Sequence, residues 1–256
     1  MTYHPDPYWS QVAREIGRRG EKNFLAGDDS PFFRYKREKF LSLFHQINFA
    51  NKKVMEVGSG PGGNLNELIN PAIEKILGVD ISSEMIALAK TNLADHPNFR
   101  KMEFIHTNGQ VIPLADKSID LAYTVTVLQH NTDEAMLLNL ITEICRVTQD
   151  EVFIFERIDS KIRGSELCLG RPVSYYKSIF EKNGFKFQKH AFLNTRVSHF
   201  TCTALAKVFN KPGRKEGEPL SGLSVFLQNI ALPVTKQLDK LFADKREVAF
   251  LHFKKG

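Results

Sequence analysis

Apolar residues along this chain follow two periods, and from Lys52 onward the two alternate. Short, nearly continuous apolar runs read as buried strands: KKVMEVG at 52–58, KILGVDI at 75–81, MEFIHTN at 102–108 and SIDLAYTVTVL at 118–128. EVFIFERI at 151–158, FKFQKHAFL at 185–193 and REVAFLHFKK at 246–255 bring the set to seven. Between the runs the spacing turns helical. NLNELI (64–69) predicts a short helix, and SEMIALAKTNLADH (83–96) a longer one capped by Ser82 or Ser83, with Glu84 in its first turn. In DEAMLLNLITEICRV (133–147), Met136, Leu137, Leu140, Ile141 and Ile144 share a face, and Asn131 with Glu134 is spaced as a capping box. SYYKSIFEKNGF (174–185) predicts a helix closed by Gly184 in the left-handed region, with Phe185 packing back.

Strand and helix in alternation imply right-handed crossovers. The expected fold is α/β: a Rossmann-like, doubly wound, mostly parallel seven-stranded sheet with helices on both faces. Residues 1–50 stand apart as an N-terminal helical segment and candidate lid, punctuated by Pro5, Pro7, Gly27 and Pro31. Phe40, Leu41, Leu43, Phe44 and Ile47 predict a helix of about 15 residues there, ending near Asn48. The core is expected over 51–256, with a helical insertion at about 194–245 before the last strand. Two helical patterns, SHFTCTALAKVFN and LSVFLQNIALPVTKQLDKLF, lie in that insertion around GRKEGEP, and Pro233 interrupts the second. In such sheets ligands sit at the carboxyl ends of the strands. The first glycine turn, Asp80, Asn108 and the segment after Leu128 all fall at those ends.

That glycine turn, EVGSGPGG at 56–63, carries the chemistry. Gly58, Gly60 and Gly63 satisfy G-x-G-x-x-G, the dinucleotide fingerprint, with a helix N-terminus expected behind it. Glu56 argues otherwise, because a carboxylate two residues before the first glycine would repel a pyrophosphate and suit a ligand bearing an ammonium and a sulfonium. Pro61 removes one N–H that a phosphate could use. Asp80 suits ribose hydroxyls under either reading.

EVGSGPGG with GVD at 78–80 resembles motif I and the acidic loop of class I S-adenosylmethionine-dependent methyltransferases, in particular small-molecule enzymes of the type 11-like group. TNGQVIPLADKSIDLAYT (107–124), VLQHN (127–131) and GF (184–185) resemble later segments of the family in the same order, so the likeness covers about residues 50–193 and the final strand. It implies that the chain is an enzyme with S-adenosyl-L-methionine as cofactor. Glu56, Gly58, Ser59 and Gly60 would then lie under the methionine part and Asp80 on the ribose. Ile81, Asn108 and Gly109 would lie about the adenine, with Thr124 flanking the methionine end. The family commonly has Asp where this chain has Asn108.

Methyl transfer from a sulfonium needs alignment above all, and a hydroxyl acceptor also needs a base. His130, just past the fourth strand, is the candidate base, and its alternative is a histidine bonded to local backbone. Glu156 at the end of the fifth strand is the second catalytic candidate, able to orient an acceptor or simply to pair with a neighbour. Arg34, Tyr35 and Lys36, in GDDSPFFRYKREKF, are substrate-binding candidates that would cover the cofactor or steer an anionic acceptor. His199 matters only if the insertion folds over the site.

Composition narrows the partners. The 256 residues are 42% hydrophobic with a formal charge of +6 and a pI near 9.1. The excess is spread over residues 18–19, 34–39, 213–215 and the last turn of sequence, which reads as solvated surface rather than a nucleic-acid face. Cys145, Cys168 and Cys202 form no C-x-x-C pair, against a disulfide framework or a zinc site, and no other metal ligands gather. No secretory pattern opens the chain and no apolar run nears the roughly 18 residues that span a bilayer, so a cytoplasmic enzyme is expected. The expected partner is a small-molecule acceptor, anionic, sugar-linked or lipid-linked, with O-methylation ahead of N-methylation. A homodimer and a membrane contact through the apolar insertion are both open, although packing of the insertion as core or lid is the preferred reading. Two rival functions are a nicotinamide-dependent oxidoreductase and a non-catalytic protein that keeps the cofactor fold.

Overall fold

The computed structural model describes residues 4–19, 23–214, 218–242 and 247–256. Lys215, within the basic GRK stretch, and Arg246, at the head of the expected last strand, lie outside the described residues. Seven strands form the main sheet: β1 (Lys53–Val57), β2 (Lys75–Asp80), β3 (Met102–His106), β4 (Ile119–Val125), β5 (Thr148–Ile158), β8 (Phe185–Phe192) and β9 (Glu247–Lys255). A small hairpin, β6 (Arg163–Ser165) with β7 (Cys168–Gly170), follows β5 and has no counterpart in the sequence expectations. Its apolar content is too low to announce a strand.

The sheet order is β3-β2-β1-β4-β5-β9-β8. β3, β2, β1, β4 and β5 run parallel, while β9 is antiparallel to both β5 and β8. The order reverses between β1 and β4, and this is where a doubly wound sheet opens its crevice. Period-two alternation within each strand divides the core between two faces. Met55, Val57, Ala122, Val152 and Ile154 face one way, onto α4 (Glu134–Val147) and α5 (Val173–Lys182). Val54, Leu121, Tyr123, Phe153 and Phe155 face the other, onto α2 (Pro31–Phe44) and α3 (Ser83–Asn92).

Caps set several boundaries. Ser82 receives the Met85 N–H and starts α3. The start of α4 corrects the capping-box expectation: Asp133 receives the Met136 N–H, while the Asn131 amide turns back to the Val127 carbonyl. Ser30 receives the Phe33 N–H, and Pro31 occupies the first turn of α2, so that helix begins earlier than expected and stops at Phe44. α1 (Pro5–Gly17) precedes it and packs on α3. The helix expected at 64–69 is a single 3-10 turn, Leu65–Glu67, because Asn64 spends its side chain on Glu56 and Asn70-Pro71 follows closely. The fourth strand ends at Val125 rather than at Leu128, and residues 128–130 form another single turn.

Between β8 and β9 lie α6 (Arg196–Phe209) and α7 (Gly222–Leu241), which pack on each other. The second helix runs through Pro233 rather than ending there. Both helices also meet α2, where Phe32, Tyr35, Cys202 and Leu232 form a small apolar cluster. No helix among the described residues is long and apolar enough to cross a membrane.

Candidate active site

Two adjoining cavities lie at the carboxyl ends of β1, β2 and β4. The inner one, about 110 Å3, is bounded by Asp80, Ile81, Thr107, Gly109 and by Pro5 and Trp9 of α1. The second, about 340 Å3, runs along Ser59, Pro61, Ala26, Lys36 and Arg37. They share Trp9, Ala26, Gly58, Gly60, Thr126 and His130, so the glycine turn forms their common floor.

The turn owes its shape to close packing. Gly58 has φ +75°, and a Cβ there would sit 2.2 Å from Val127 Cγ2. At Gly63 a Cβ would meet the Phe24 carbonyl oxygen at 2.3 Å, so the third glycine of the fingerprint makes room for the N-terminal segment. Arg37 of α2 donates to the Gly63 carbonyl at 2.7 Å and to Asn64 Oδ1 at 2.9 Å, fastening the turn from outside.

These bonds settle the pyrophosphate question by a different route from the one the sequence suggested. Glu56 lines neither cavity: its carboxyl is wholly buried and accepts from Asn64 Nδ2 at 2.7 Å and Tyr123 OH at 3.2 Å. Burial pushes its pKa up to about 8 against those two hydrogen bonds, so at neutral pH the group is mostly protonated. The expected charge repulsion therefore does not operate. Instead, the Gly58 N–H donates to the Val79 carbonyl at 2.7 Å and the Gly60 N–H to Asp80 Oδ2 at 2.8 Å. Only a 3-10 turn follows where a helix dipole was expected. A pyrophosphate would find these two N–H groups already used and no helix N-terminus.

Asp80 reaches the inner cavity with its carboxylate fixed by Gly60 N and Ser82 N, and burial raises its pKa against those donors. Ser59 belongs to the wall of the second cavity, but its Oγ is buried against Gly78 of β2 without a hydrogen-bond partner. Asp80 and the apolar Ile81, both on the wall of the inner cavity, suit the ribose and base of an adenosyl ligand. The residues present therefore fit that cofactor.

Other candidates move. Asn108 is exposed and accepts from Gln110 N and Val111 N, so it closes its own turn, and Thr107 and Gly109 take its place on the wall. Thr124 donates to Glu156 at 2.8 Å and lies beneath the surface, while Thr126, at φ +55°, forms the rim. Glu156 is no acceptor-orienting group. Fully buried, it also receives the Val127 N–H at 3.0 Å and the Gln129 N–H at 3.1 Å, and burial raises its pKa. It is a structural carboxyl that holds the loop after β4.

His130 lies on both cavities, edge-on to Trp9 with ring centroids 5.0 Å apart. Burial lowers its pKa and keeps the ring neutral. Nδ1 lies 2.8 Å from the Leu167 carbonyl and must donate, which leaves the lone pair on Nε2, 3.2 Å from the Gln129 amide nitrogen. As a base His130 would have to displace that amide.

A third chamber, about 510 Å3, adjoins the second through Asp28, Phe33, Lys36, Gln129 and Val248. Its farther wall includes Arg157, His199, Phe200 and Glu247. Arg34 faces away, paired with Asp29 at 2.6 Å, and Tyr35 packs against Leu232 and Cys202, so of the three substrate candidates only Lys36 reaches the chambers. Burial lowers the Lys36 pKa, opposed by Glu247. Trp9, Gln129 and Arg157 were not singled out from sequence, although Gln129 stands within the family-like VLQHN segment after β4.

Residues 54–151 match the model of a methyltransferase domain. An O-methyltransferase of Aspergillus nomiae, rstn1, is 26% identical over 95 residues, 37% of this chain and 42% of that protein. The ubiquinone/menaquinone biosynthesis C-methyltransferase UbiE of Hahella chejuensis is 25% identical over 100 residues, 38% of this chain and 40% of its own length. The matches thus span less than half of these curated relatives. Among solved structures, magnesium protoporphyrin IX methyltransferase of Synechocystis PCC 6803, with bound S-adenosylmethionine, superposes with a TM-score of 0.61 at 12% identity, covering 98% of this chain and 94% of that one. This likeness carries the fold.

Glu56 makes a pH prediction. Its pKa in the fold, about 8, lies above its unfolded value near 4.5, so its contribution to stability is full below pH 4.5 and is lost as pH rises through 8. Glu56→Gln should flatten stability against pH between 5 and 8 and gain about 2–4 kcal/mol over wild type at pH 8, read by urea unfolding. Parallel curves for the two proteins would contradict a buried, protonated Glu56.

Proposed function

We propose that the chain is a class I S-adenosylmethionine-dependent methyltransferase and that it transfers a methyl group from that cofactor to a hydroxyl of a small, anionic acceptor. The observation that carries this reading is the adjacency of the cavities: the space beside Gly58 shares Phe33, Lys36 and Gln129 of its lining with the chamber that Arg157 and His199 bound on the far side. When bound, the cofactor supplies a sulfonium-activated methyl group. The chain's part is to hold the two reactants in line and keep water out, which is where most of the acceleration of such a displacement arises.

In this reading Asp80 takes the ribose, Ile81, Thr107 and Gly109 flank the base, and Ser59 and Gly60 meet the methionine end. Trp9 and Pro5 roof the nucleoside. His199, whose pKa burial lowers, is a neutral imidazole on the acceptor chamber and suits removal of a hydroxyl proton. His130 stands between donor and acceptor and positions them through Gln129.

The charges favour an anion over an amine. Asp28 pairs with Arg214 and Asp159 with Arg163, whereas Lys36 has no hydrogen bond or ion pair among the described residues. Among the described residues Arg157 presents its guanidinium to Cys168 Sγ, at 3.8 Å. Against these two cations stands Glu247, itself held by Thr195. One positive charge is left over in a half-buried chamber, where a protonated amine would be repelled and a carboxylate drawn in. The likeness to an O-methyltransferase over 95 residues agrees with a hydroxyl acceptor, and the likeness to a C-methyltransferase leaves carbon as the second choice.

Calorimetric titration tests the cofactor. S-adenosylmethionine and S-adenosylhomocysteine should bind with micromolar affinity and NADH should not, and Asp80→Ala should weaken the adenosyl ligands at least tenfold. NADH binding without adenosyl binding would return the chain to the oxidoreductase reading. Turnover on a panel of hydroxylated aromatic acids, followed by release of S-adenosylhomocysteine, tests the acceptor. Lys36→Met and Arg157→Met should each raise KM for the acids about tenfold or more and leave cofactor affinity unchanged; equal loss on the neutral methyl esters would sink the anion argument.

A further inference from the structure

An amphipathic helix on a folded domain normally turns its apolar face inward. α7 does the reverse. Its buried positions are Ser224, Gln228, Leu232, Thr235 and Asp239, only one of them apolar. Its exposed positions include Leu223, Phe226, Ile230, Val234 and Leu241, spaced by three, four, four and seven residues along one face. α6 adds Phe200, Val208 and Phe209 to the outer surface, with Val208 70% and Leu241 75% exposed. Core packing, the expectation from sequence for the apolar residues of α7, holds for Leu232 and is corrected for Leu223, Phe226, Ile230, Val234 and Leu241.

The inversion is fastened from inside. Asp239 accepts from Val197 N at 2.7 Å and from Ser198 Oγ at 2.6 Å, and Ser198 Oγ also meets Thr235 Oγ1 at 2.9 Å. A buried polar seam of this kind cannot be rotated outward without leaving the Val197 N–H and two hydroxyls unpaired. The apolar row is therefore a built surface and not a helix waiting to turn over.

Charge says what covers it. Residues 196–242 hold seven Lys and Arg against three acids, a net +4 of the chain's +6. On the two helices the single acid is the buried Asp239, and the exposed charges are basic, with Lys207 and Lys240 beside the apolar row. We propose that the α6–α7 hairpin docks on an anionic lipid surface, its apolar row at the boundary of headgroups and acyl chains and its lysines among the phosphates. An apolar row of phenylalanine and leucine flanked by lysine suits the boundary of headgroups and acyl chains, and anionic headgroups attract such lysines. A second copy of the chain fits less well, because an isologous contact through this face would bring the exposed lysines of two basic surfaces together.

The docking stands independently of methyl transfer. If the methyl-transfer reading holds as well, it has a consequence: Phe200 belongs both to the outer surface and to the wall of the acceptor chamber, so the chamber would open beside the lipid and admit an amphiphilic acid from it.

Vesicle flotation tests the docking without any turnover. The full chain should float with vesicles of phosphatidylcholine and phosphatidylglycerol, less so at high salt, and should stay behind with phosphatidylcholine alone. Phe226→Ser with Ile230→Ser should lower the bound fraction at least tenfold while melting temperature and S-adenosylhomocysteine affinity stay at wild-type values. No flotation with the anionic vesicles, or flotation unchanged in the double variant, overturns the proposal. So does a stable dimer in sedimentation that the double variant converts to monomer, since the face would then belong to a second copy.

Discussion

The Glu156 carboxylate, sealed between β4 and β5, is the contact from which the cavities take their form. It gathers the Thr124 hydroxyl and the N–H groups of Val127 and Gln129, and so bends the chain as soon as β4 ends. The bend places Thr126 at φ +55°, a left-handed conformation that a β-branched residue adopts only at a cost of about 1–2 kcal/mol. It also lays Val127 on Gly58 and sets His130 on the cavity wall. Arg171 holds the same loop from the other side, donating to the carbonyls of Leu128 at 3.1 Å and Asn131 at 2.7 Å. A buried carboxyl and a buried guanidinium thus shape six residues between them.

The glycine turn is pinned with comparable economy from the other direction. Arg37 reaches it from α2, and the Asn92 amide of α3 donates to both Pro61 O at 2.9 Å and Asn23 O at 3.1 Å. The N-terminal segment is therefore stitched to the turn that it roofs, and Asp28 with Arg214 ties it on to the α6–α7 hairpin. Floor, roof and hairpin form one connected structure.

Much of this was legible in the sequence, and the failures have physical causes. The seven sheet strands, the crossovers and the crevice follow from apolar periods and strand ends, which depend on local composition. Asp80, Gly58 and Ile81 stand where the motif put them. The misplacements are of polar side chains whose partners lie far away in the chain. Glu56 and Glu156 both sit at strand ends, and nothing local tells that Tyr123, Asn64, Thr124 and two N–H groups will consume them. Asn108 was lost to its own turn, a competition that asparagine often wins. In the insertion the periodicity of α7 was readable but not its sense: a helical stripe announces a face without saying which way it looks. Ser198 and Asp239, forty-one residues apart, decide that.

The floor beside Gly58, Gly60 and Asp80, roofed by α1, is the proposed cofactor site. Trp9 is the sole tryptophan of the chain and lines both cavities there, so its fluorescence reports on that space alone. Titration with S-adenosylhomocysteine should change Trp9 emission saturably, with the same midpoint as the heat of binding. Heat of binding with no change in Trp9 emission would place the ligand elsewhere and contradict the account.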